Sequence, residues 1–88
     1  MDKKEIFETV MDVVATAALM EPEEIDPDSR LIDDMGLDSL SIFEIVVDLE
    51  AAFDLFINDE IVDGLRTPRQ IADFLTQRLN QGGGEKRP

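Results

Sequence analysis

Apolar residues recur at every third or fourth position near the start of the chain, which predicts a first helix over residues 3–20. Asp2 followed by Glu5 fits an N-terminal capping box, and the helix should end before Pro22. Its main apolar positions are Ile6, Val10, Val13, Ala17 and Met20, reinforced by Phe7, Met11, Val14 and Ala18. This spacing places them on one face, which we expect to enter a core.

A second helix, predicted over residues 39–54, differs from the first because it carries two apolar faces. The face expected to enter the core holds Ile42, Ile45, Val46, Leu49 and Phe53. The second apolar stripe holds Leu40, Phe43, Val47 and Ala51, also at helical spacing. Glu44, Asp48 and Glu50 flank this stripe, and either Asp38 or Ser39 can cap the helix. The stripe framed by acids suggests a surface for docking.

Two further helices complete the pattern. A short helix is predicted over residues 58–64, with Asn58 as its cap. A last helix is predicted over residues 68–80, where Thr67 is the N-cap and Gln70 completes the capping box. Its apolar face holds Ile71, Phe74, Leu75 and Leu79. No strand pattern competes, so the predicted fold is all-α: a small four-helix bundle of three main helices plus one short third helix.

A long loop, residues 21–37, separates the first two helices. Two prolines and seven acids in this stretch argue against any regular element. The apolar residues expected to fasten it to the core are Ile25, Leu31, Ile32 and Leu37. A loop of this length in a compact domain is often functional. We assign residues 1–80 to a single domain and residues 81–88, QGGGEKRP, to a flexible C-terminal tail.

Charge narrows the set of partners. The 88 residues include 8 Lys and Arg against 21 Asp and Glu, a net charge of −13 at pH 7. The 43% hydrophobic content is that of a globular domain and too high for a disordered acidic tail. A polyanion should bind neither nucleic acid nor an anionic membrane surface, because phosphates would repel it. We therefore expect partner proteins with basic patches.

The missing residue types exclude several kinds of chemistry. With no Cys and no His there is no disulfide framework, no Cys-based zinc site and no usual proton shuttle. An EF-hand calcium loop starting at Asp26 would need a ligand at Arg30 and a glycine at Leu31, so the match fails. We predict no catalytic residue and no metal site. The N-terminus lacks the apolar run of a signal peptide or a membrane span, which favours the cytosol.

Ser39 is the candidate for covalent chemistry of another kind. A serine in the first turn of a helix places its hydroxyl at the positive end of the helix dipole, where a phosphate joined to it would be favoured. This position, beside the apolar stripe, suggests a modified serine next to a docking surface. The residues alone leave a second interpretation open, in which Ser39 is only the N-cap of the helix.

The segment Gly36-Leu37-Asp38-Ser39-Leu40, which opens the second helix, resembles the acyl carrier protein family. The resemblance covers about residues 3–79 and includes the loop before the serine, the exit from the second helix and the start of the last helix at Thr67-Pro68. The three letters Asp-Ser-Leu recur by chance in many proteins. In this position, length, charge and helix pattern they form a specific signal.

The resemblance implies that Ser39 carries a 4′-phosphopantetheine arm, installed from coenzyme A by a phosphopantetheinyl transferase. The thiol of the arm would hold acyl groups as thioesters, which accounts for a carrier without cysteine. Asp38 and Leu40 complete the attachment motif. The positions that match partner-facing residues of the family are Leu40, Phe43, Glu44, Val47 and Asp48. The implied protein is a monomer without catalytic activity that serves acyl-transferring and synthase enzymes, and its core face would shelter the acyl chain.

Departures from the fatty-acid carriers of primary metabolism leave the cargo open. Ser41 stands where an acid is usual, Phe43 is bulkier than usual and Asn58 replaces a frequent proline. These changes favour a carrier for polyketides, unusual lipids or other specialised products over one limited to fatty-acid synthesis. Two alternatives remain: a carrier of aminoacyl or peptidyl groups, and an acidic helical interaction module without a prosthetic group that binds a basic amphipathic helix.

Overall fold

A computed structural model describes residues 2–80, and within this range it contains four α-helices and no strand. The helices are α1 (Lys3–Ala18), α2 (Ser39–Phe53), α3 (Asp59–Gly64) and α4 (Pro68–Asn80). The prediction of an all-α, four-helix fold with a short third helix is confirmed. The tail predicted over residues 81–88 lies outside the described residues. No helix in the described part of the chain is long and apolar enough to cross a membrane.

The core lies where α1 packs against both α2 and α4. Its fully buried side chains on these helices are Ile6, Val10, Val14, Ile45, Leu49 and Leu75. They all belong to the predicted apolar positions, and no polar side chain among residues 2–80 is buried with them. Met20 was expected on the inner face of the first helix but is 38% exposed, because α1 ends before it, so that expectation was wrong. Full burial of one such aliphatic side chain stabilises a fold by about 1.5–3 kcal/mol, so this interior is the main source of stability.

Three predicted caps are present. The Asp2 carboxylate accepts the backbone N–H of Glu5 at 2.8 Å, and the Asn58 side-chain oxygen accepts that of Ile61 at 2.9 Å. At the start of α4 the Thr67 hydroxyl accepts the N–H of Gln70 at 3.1 Å, while the side chain of Gln70 accepts the N–H of Thr67 at 3.3 Å. Each cap satisfies a backbone donor that the first turn leaves free and contributes about 1 kcal/mol.

The first helix ends two residues earlier than its sequence predicts. Leu19 adopts a left-handed conformation with φ of 58°, and the N–H of Met20 donates to the Ala15 carbonyl at 3.0 Å. This closure satisfies the last carbonyls of α1 and turns the chain away before Pro22. The boundary was missed because glycine is the usual residue at such a position, and leucine carries no comparable sequence signal.

The loop between α1 and α2 contains one regular element, so the prediction of none was wrong. Pro22–Glu24 form a single turn of 3₁₀ helix, because Glu21 and Glu24 cap each other's backbone and Pro22 sets the first φ angle. Two of the four expected anchors, Ile25 and Leu31, are buried and Leu37 is half-buried. Ile32, in contrast, is 57% exposed, so the expectation that it enters the core was also wrong.

Candidate functional site

Ser39 is the first residue of α2, and the residue before it caps the helix. Asp38 has an extended backbone, and its carboxylate accepts the N–H of Ser41 at 2.9 Å. Of the two caps left open by the sequence, Asp38 is therefore the one used. Ser39 is exposed, and its hydroxyl is not committed to capping. The interpretation of Ser39 as a mere N-cap is wrong.

The carboxylate of Asp38 is held in its charged form. Hydrogen bonds from Ser41, first from its backbone N–H and then from its hydroxyl, lower the pKa of Asp38 below its ordinary value. A negative charge therefore lies at the start of α2 at neutral pH, where it interacts favourably with the helix dipole. Because its proton is bound so weakly, Asp38 is a poor base for activating the neighbouring hydroxyl.

The loop that leads into Ser39 is fixed by its own hydrogen bonds. Arg30 makes a two-pronged ion pair with Asp34, through Nε and one terminal nitrogen at 3.1 Å each, and this contact lowers the pKa of Asp34. Gly36 adopts φ of 73°, a conformation that favours glycine, and its N–H donates to the Ile32 carbonyl at 3.1 Å. These contacts set the direction in which the chain enters α2.

The same loop is joined to the corner between α3 and α4 by hydrogen bonds and an ion pair. The N–H of Leu31 donates to the Arg66 carbonyl at 2.9 Å, and the N–H of Arg69 donates to the Pro27 carbonyl at 2.9 Å. The Arg69 guanidinium adds an ion pair with Asp28 at 2.7 Å. The position of Ser39 thus depends on residues that follow it by some distance in the sequence.

The second apolar stripe of α2 faces outward. Leu40 is 65% exposed, Phe43 64% and Val47 42%, and the carboxylates of Glu44 and Asp48 are exposed beside them. Large apolar side chains at this exposure do not stabilise the monomer, and their grouping is typical of an interaction surface. The structure therefore brings together every residue that the sequence marks as a site residue, from Asp38 to Asp48.

A cavity of about 750 Å³ opens beside Ser39, between α2, α3 and the loop. Its apolar lining comes mainly from Leu31, Ile32, Ile42, Phe43, Val46, Val47, Phe56, Ile57, Val62 and Leu65. Its polar lining comes from Arg30, Asp33, Ser39, Glu50, Asn58, Asp59, Asp63 and Arg66. Two predicted core residues, Ile42 and Val46, are only half-buried, because they face this cavity instead of the centre of the bundle. The cavity is wide enough for a small organic group.

Several cavity residues were not predicted from the sequence. Phe56, Arg66 and Ile32 come from turns and from the loop, where periodicity gives no orientation. A weak signal exists for Phe56 and Ile32, since a large apolar residue in an acidic, turn-forming segment needs a reason to be there. Arg66 carries no such signal. Its place in the cavity follows only from the way the α3–α4 corner meets the loop.

The acids of the loop are engaged with the backbone and with arginines. Asp26 accepts the N–H of Asp28 at 2.9 Å, Asp28 pairs with Arg69, and Asp33 lies 3.7 Å from Arg30. Within residues 2–80, no group of three or more acids is arranged to hold a metal ion.

Comparison with known proteins identifies the family. Residues 8–75 match the family described as "Phosphopantetheine attachment site". The chain is 36% identical over 77 residues to the acyl carrier protein of Syntrophobacter fumaroxidans, an alignment covering 88% of this chain and 95% of that protein. It is 32% identical over 78 residues to the acyl carrier protein of Chlorobium phaeobacteroides, with 89% of this chain and 100% of that protein covered.

Solved structures of carrier proteins have the same fold as this chain. A free-standing peptidyl carrier protein from a secondary metabolic pathway of Acinetobacter baumannii superimposes with a TM-score of 0.78 at 29% identity, covering 89% of this chain and 96% of that one. The acyl carrier protein of Enterococcus faecalis gives a TM-score of 0.73 at 25% identity, with coverages of 88% and 98%. The match over most of the chain, with relatives spanned almost from end to end, shows that this chain belongs to the acyl carrier protein family of phosphopantetheine-binding carriers.

Proposed function

We propose that the protein is a non-catalytic acyl carrier whose 4′-phosphopantetheine arm is attached to Ser39. One observation carries this proposal: Ser39 is an exposed residue at the first position of α2 and lies on the wall of a cavity of about 750 Å³. Residues 1–80 form the carrier domain in this proposal, and residues 81–88 form a tail. The proposed location in the cytosol rests on the sequence.

The residues around Ser39 fit a phosphate ester. The first turn of α2 has backbone N–H groups without helical partners, and the helix dipole adds positive potential where the phosphate would lie. In the attachment reaction, Ser39 Oγ forms the new P–O bond and loses its proton, while the nucleotide half of coenzyme A leaves. The chain has no histidine, and Asp38 holds its proton weakly, so the base comes from the transferase.

The cavity fits the rest of the arm and its cargo. When bound, the arm supplies a thiol that carries acyl groups as thioesters. The chain itself contributes an apolar wall, chiefly from Ile42, Val46 and Val62, against which methylene groups lose contact with water. A group held there is kept from water and released when a partner enzyme takes it.

The exposed stripe fits the enzymes that load and unload the carrier. Phe43 and Val47 supply apolar area, and Glu44 and Asp48 supply negative charge beside it. A partner with a basic patch would be steered to this face at low ionic strength and held by the apolar contact once docked. The proposed partners are a phosphopantetheinyl transferase, acyltransferases and synthases. The carrier serves these enzymes as a monomer.

We propose acyl groups and not aminoacyl groups as the cargo, for fatty-acid, polyketide or specialised lipid synthesis. Curated relatives at 32–36% identity are acyl carriers, whereas the peptidyl carrier supports the alternative mainly through its similar fold. Charging the loaded protein with an acyltransferase or with an amino-acid-adenylating enzyme separates the two. Transfer of amino acids alone would overturn the acyl assignment.

The attachment site is tested by intact-mass spectrometry after incubation with coenzyme A, magnesium and a broad-specificity phosphopantetheinyl transferase. The wild-type protein is expected to gain one phosphopantetheine on the peptide that holds Ser39. Ser39→Ala is expected to gain none. Ser41→Ala, which removes a hydroxyl from the same turn of α2, is the matched control and is expected to load fully.

Two results would overturn the proposal. Loading of Ser39→Ala would mean that the site is wrong. A folded wild-type protein that gains no mass, beside a known carrier that is modified in parallel, would mean that it is not a carrier. The interaction module that binds a basic helix would then be the better explanation.

A further inference from the structure

Two arginines line the cavity beside Ser39, and their environments differ. Arg30 is held by Asp34 in a two-pronged ion pair and lies 3.7 Å from Asp33. Arg66 is exposed and forms no ion pair with any residue in the described range 2–80. Arg66 is therefore the cation of the cavity wall whose hydrogen-bond donors remain available to a ligand.

The backbone of Arg66 is fixed relative to Ser39, although its side chain is not. Its carbonyl accepts the N–H of Leu31 at 2.9 Å, and the carbonyl of Leu31 in turn accepts the N–H of Leu37 at 3.0 Å, two residues before Ser39. Its own N–H donates to the side chain of Gln70 at 2.8 Å. Both backbone groups are thus anchored, and the guanidinium projects from a fixed point on the wall that it shares with the serine.

Two of the four acids on the wall are engaged with other groups. Asp33 faces Arg30, and the carboxylate of Glu50 accepts the N–H of Ile57 at 2.9 Å. Asp59 and Asp63, both exposed on α3, remain as competitors for Arg66. An anionic group entering this cavity would meet the repulsion of a chain with net charge −13, and Arg66 offers it a local counter-charge.

We propose that the guanidinium of Arg66 binds an anionic oxygen of the group held in this cavity. A guanidinium suits this task because its planar donors match phosphate and carboxylate oxygens. The oxygen has two sources, the phosphodiester on Ser39 and a carboxylate on the carried acyl chain. Arg66 is thus a positioning residue that keeps the arm or its cargo across the cavity. The inference rests on the proposed attachment at Ser39.

The test compares wild type, Arg66→Gln, Arg66→Lys and a control, Lys4→Gln. Lys4 is exposed on α1 and lies outside the cavity lining, so its replacement removes the same charge without touching the wall or the contacts that hold the loop. Each protein is loaded enzymatically and prepared in three states: with a free thiol, with a neutral alkyl acyl group, and with an acyl group of equal length that ends in a carboxylate. Thermal unfolding of each unloaded variant verifies the fold.

Two readouts distinguish the sources. If the phosphodiester is the ligand, Arg66→Gln shifts its phosphorus NMR resonance in all three states. If the cargo carboxylate is the ligand, hydroxylamine cleaves the carboxylate-ended acyl group about 1.4-fold to fivefold faster in Arg66→Gln than in wild type, the range expected for an exposed ion pair. The alkyl form is expected to show no such change. Arg66→Lys should restore part of either effect, because it keeps the charge but not the planar donors.

A further variant sharpens the result. Asp63→Asn removes a competitor for Arg66 and is expected to change the same readouts in the opposite direction to Arg66→Gln. The inference is overturned if loaded wild type and Arg66→Gln agree in both readouts, or if Lys4→Gln changes them equally. A wild-type protein that fails to load overturns the proposed function, and this inference falls with it.

Discussion

The two apolar faces of α2 consist of similar residues in opposite environments. Leu49 is 1% exposed, whereas Leu40, on the same helix, is 65% exposed. The inner face packs against α1, and the outer face meets water beside Glu44 and Asp48. The comparison teaches that the apolar content of this helix exceeds what folding needs. The excess is concentrated in one stripe, directly after the serine.

The largest expected effect is a loss of stability when a side chain of the inner face is truncated. Leu49→Ala should lower the free energy of unfolding by about 3 kcal/mol, because it leaves a cavity among residues that cannot fully close around it. Leu40→Ala is the matched control, the same truncation in the same helix, and should change it by about 0.5 kcal/mol or less. Urea and thermal unfolding measure both. Equal losses in the two variants would contradict the division of the helix into a folding face and a free face.

The next largest effect is a slower transfer of acyl groups when a side chain of the outer face is truncated. Phe43→Ala should leave thermal stability nearly unchanged but reduce the rate of acyl transfer by a partner enzyme about tenfold, the effect of losing one central aromatic contact. Leu19→Ala is the control, since Leu19 is exposed at the end of α1 and belongs neither to the stripe nor to the cavity lining. Transfer that depends on Leu19 as much as on Phe43 would show that general apolarity, not this stripe, drives docking.

Charge reversal on the outer face should act on the rate of encounter. Glu44→Lys and Asp48→Lys are each expected to slow transfer several-fold at low salt and less at high salt, because screening weakens the interaction with a basic patch. Glu8→Lys, an equal charge change on an exposed residue of α1, should have a smaller effect. Transfer rates measured across a salt series provide the test, and an effect independent of salt would contradict steering.

The smallest effect is a change in Tm when Asp38, the N-cap of α2, loses its charge. Folding lowers the pKa of Asp38, so its charge stabilises the fold above the unfolded pKa of about 4 and loses that contribution as the pH falls through the folded pKa. Wild type should therefore have a higher Tm than Asp38→Asn at pH 7, and the gap should shrink towards pH 3. A gap that stays constant with pH would mean that the charge of Asp38 plays no part.

The sequence predicted the helices well because their determinants are local. Apolar spacing and the caps Asp2, Asn58 and Thr67 lie within a few residues of the structure they produce. The same locality explains why the serine and the stripe were found. Where a local signal was missing, as at Leu19, the predicted helix end was wrong.

The cavity could not be predicted because its residues meet only through tertiary packing. Arg66 and Ile32 are distant in sequence and come together because the loop crosses the α3–α4 corner. The choice between Asp38 and Ser39 as cap had a similar cause. Both residues are good caps, and only the backbone of the finished loop decides which side chain reaches Ser41.

The hydrogen bonds and the ion pair between the loop and the α3–α4 corner affect when, during synthesis of the chain, the serine can be modified. Their partners, Arg66 and Arg69, follow Ser39 in the sequence and emerge from the ribosome a few seconds after it, at about 5–20 residues per second. The core likewise lacks one wall until α4 is made, since α1 packs against α2 and α4 together. In a nascent chain that stops before α4, the segment that holds the serine therefore lacks the contacts that fix its conformation. We expect an enzyme that reads the folded surface to ignore such chains, so that only a completed carrier receives its arm.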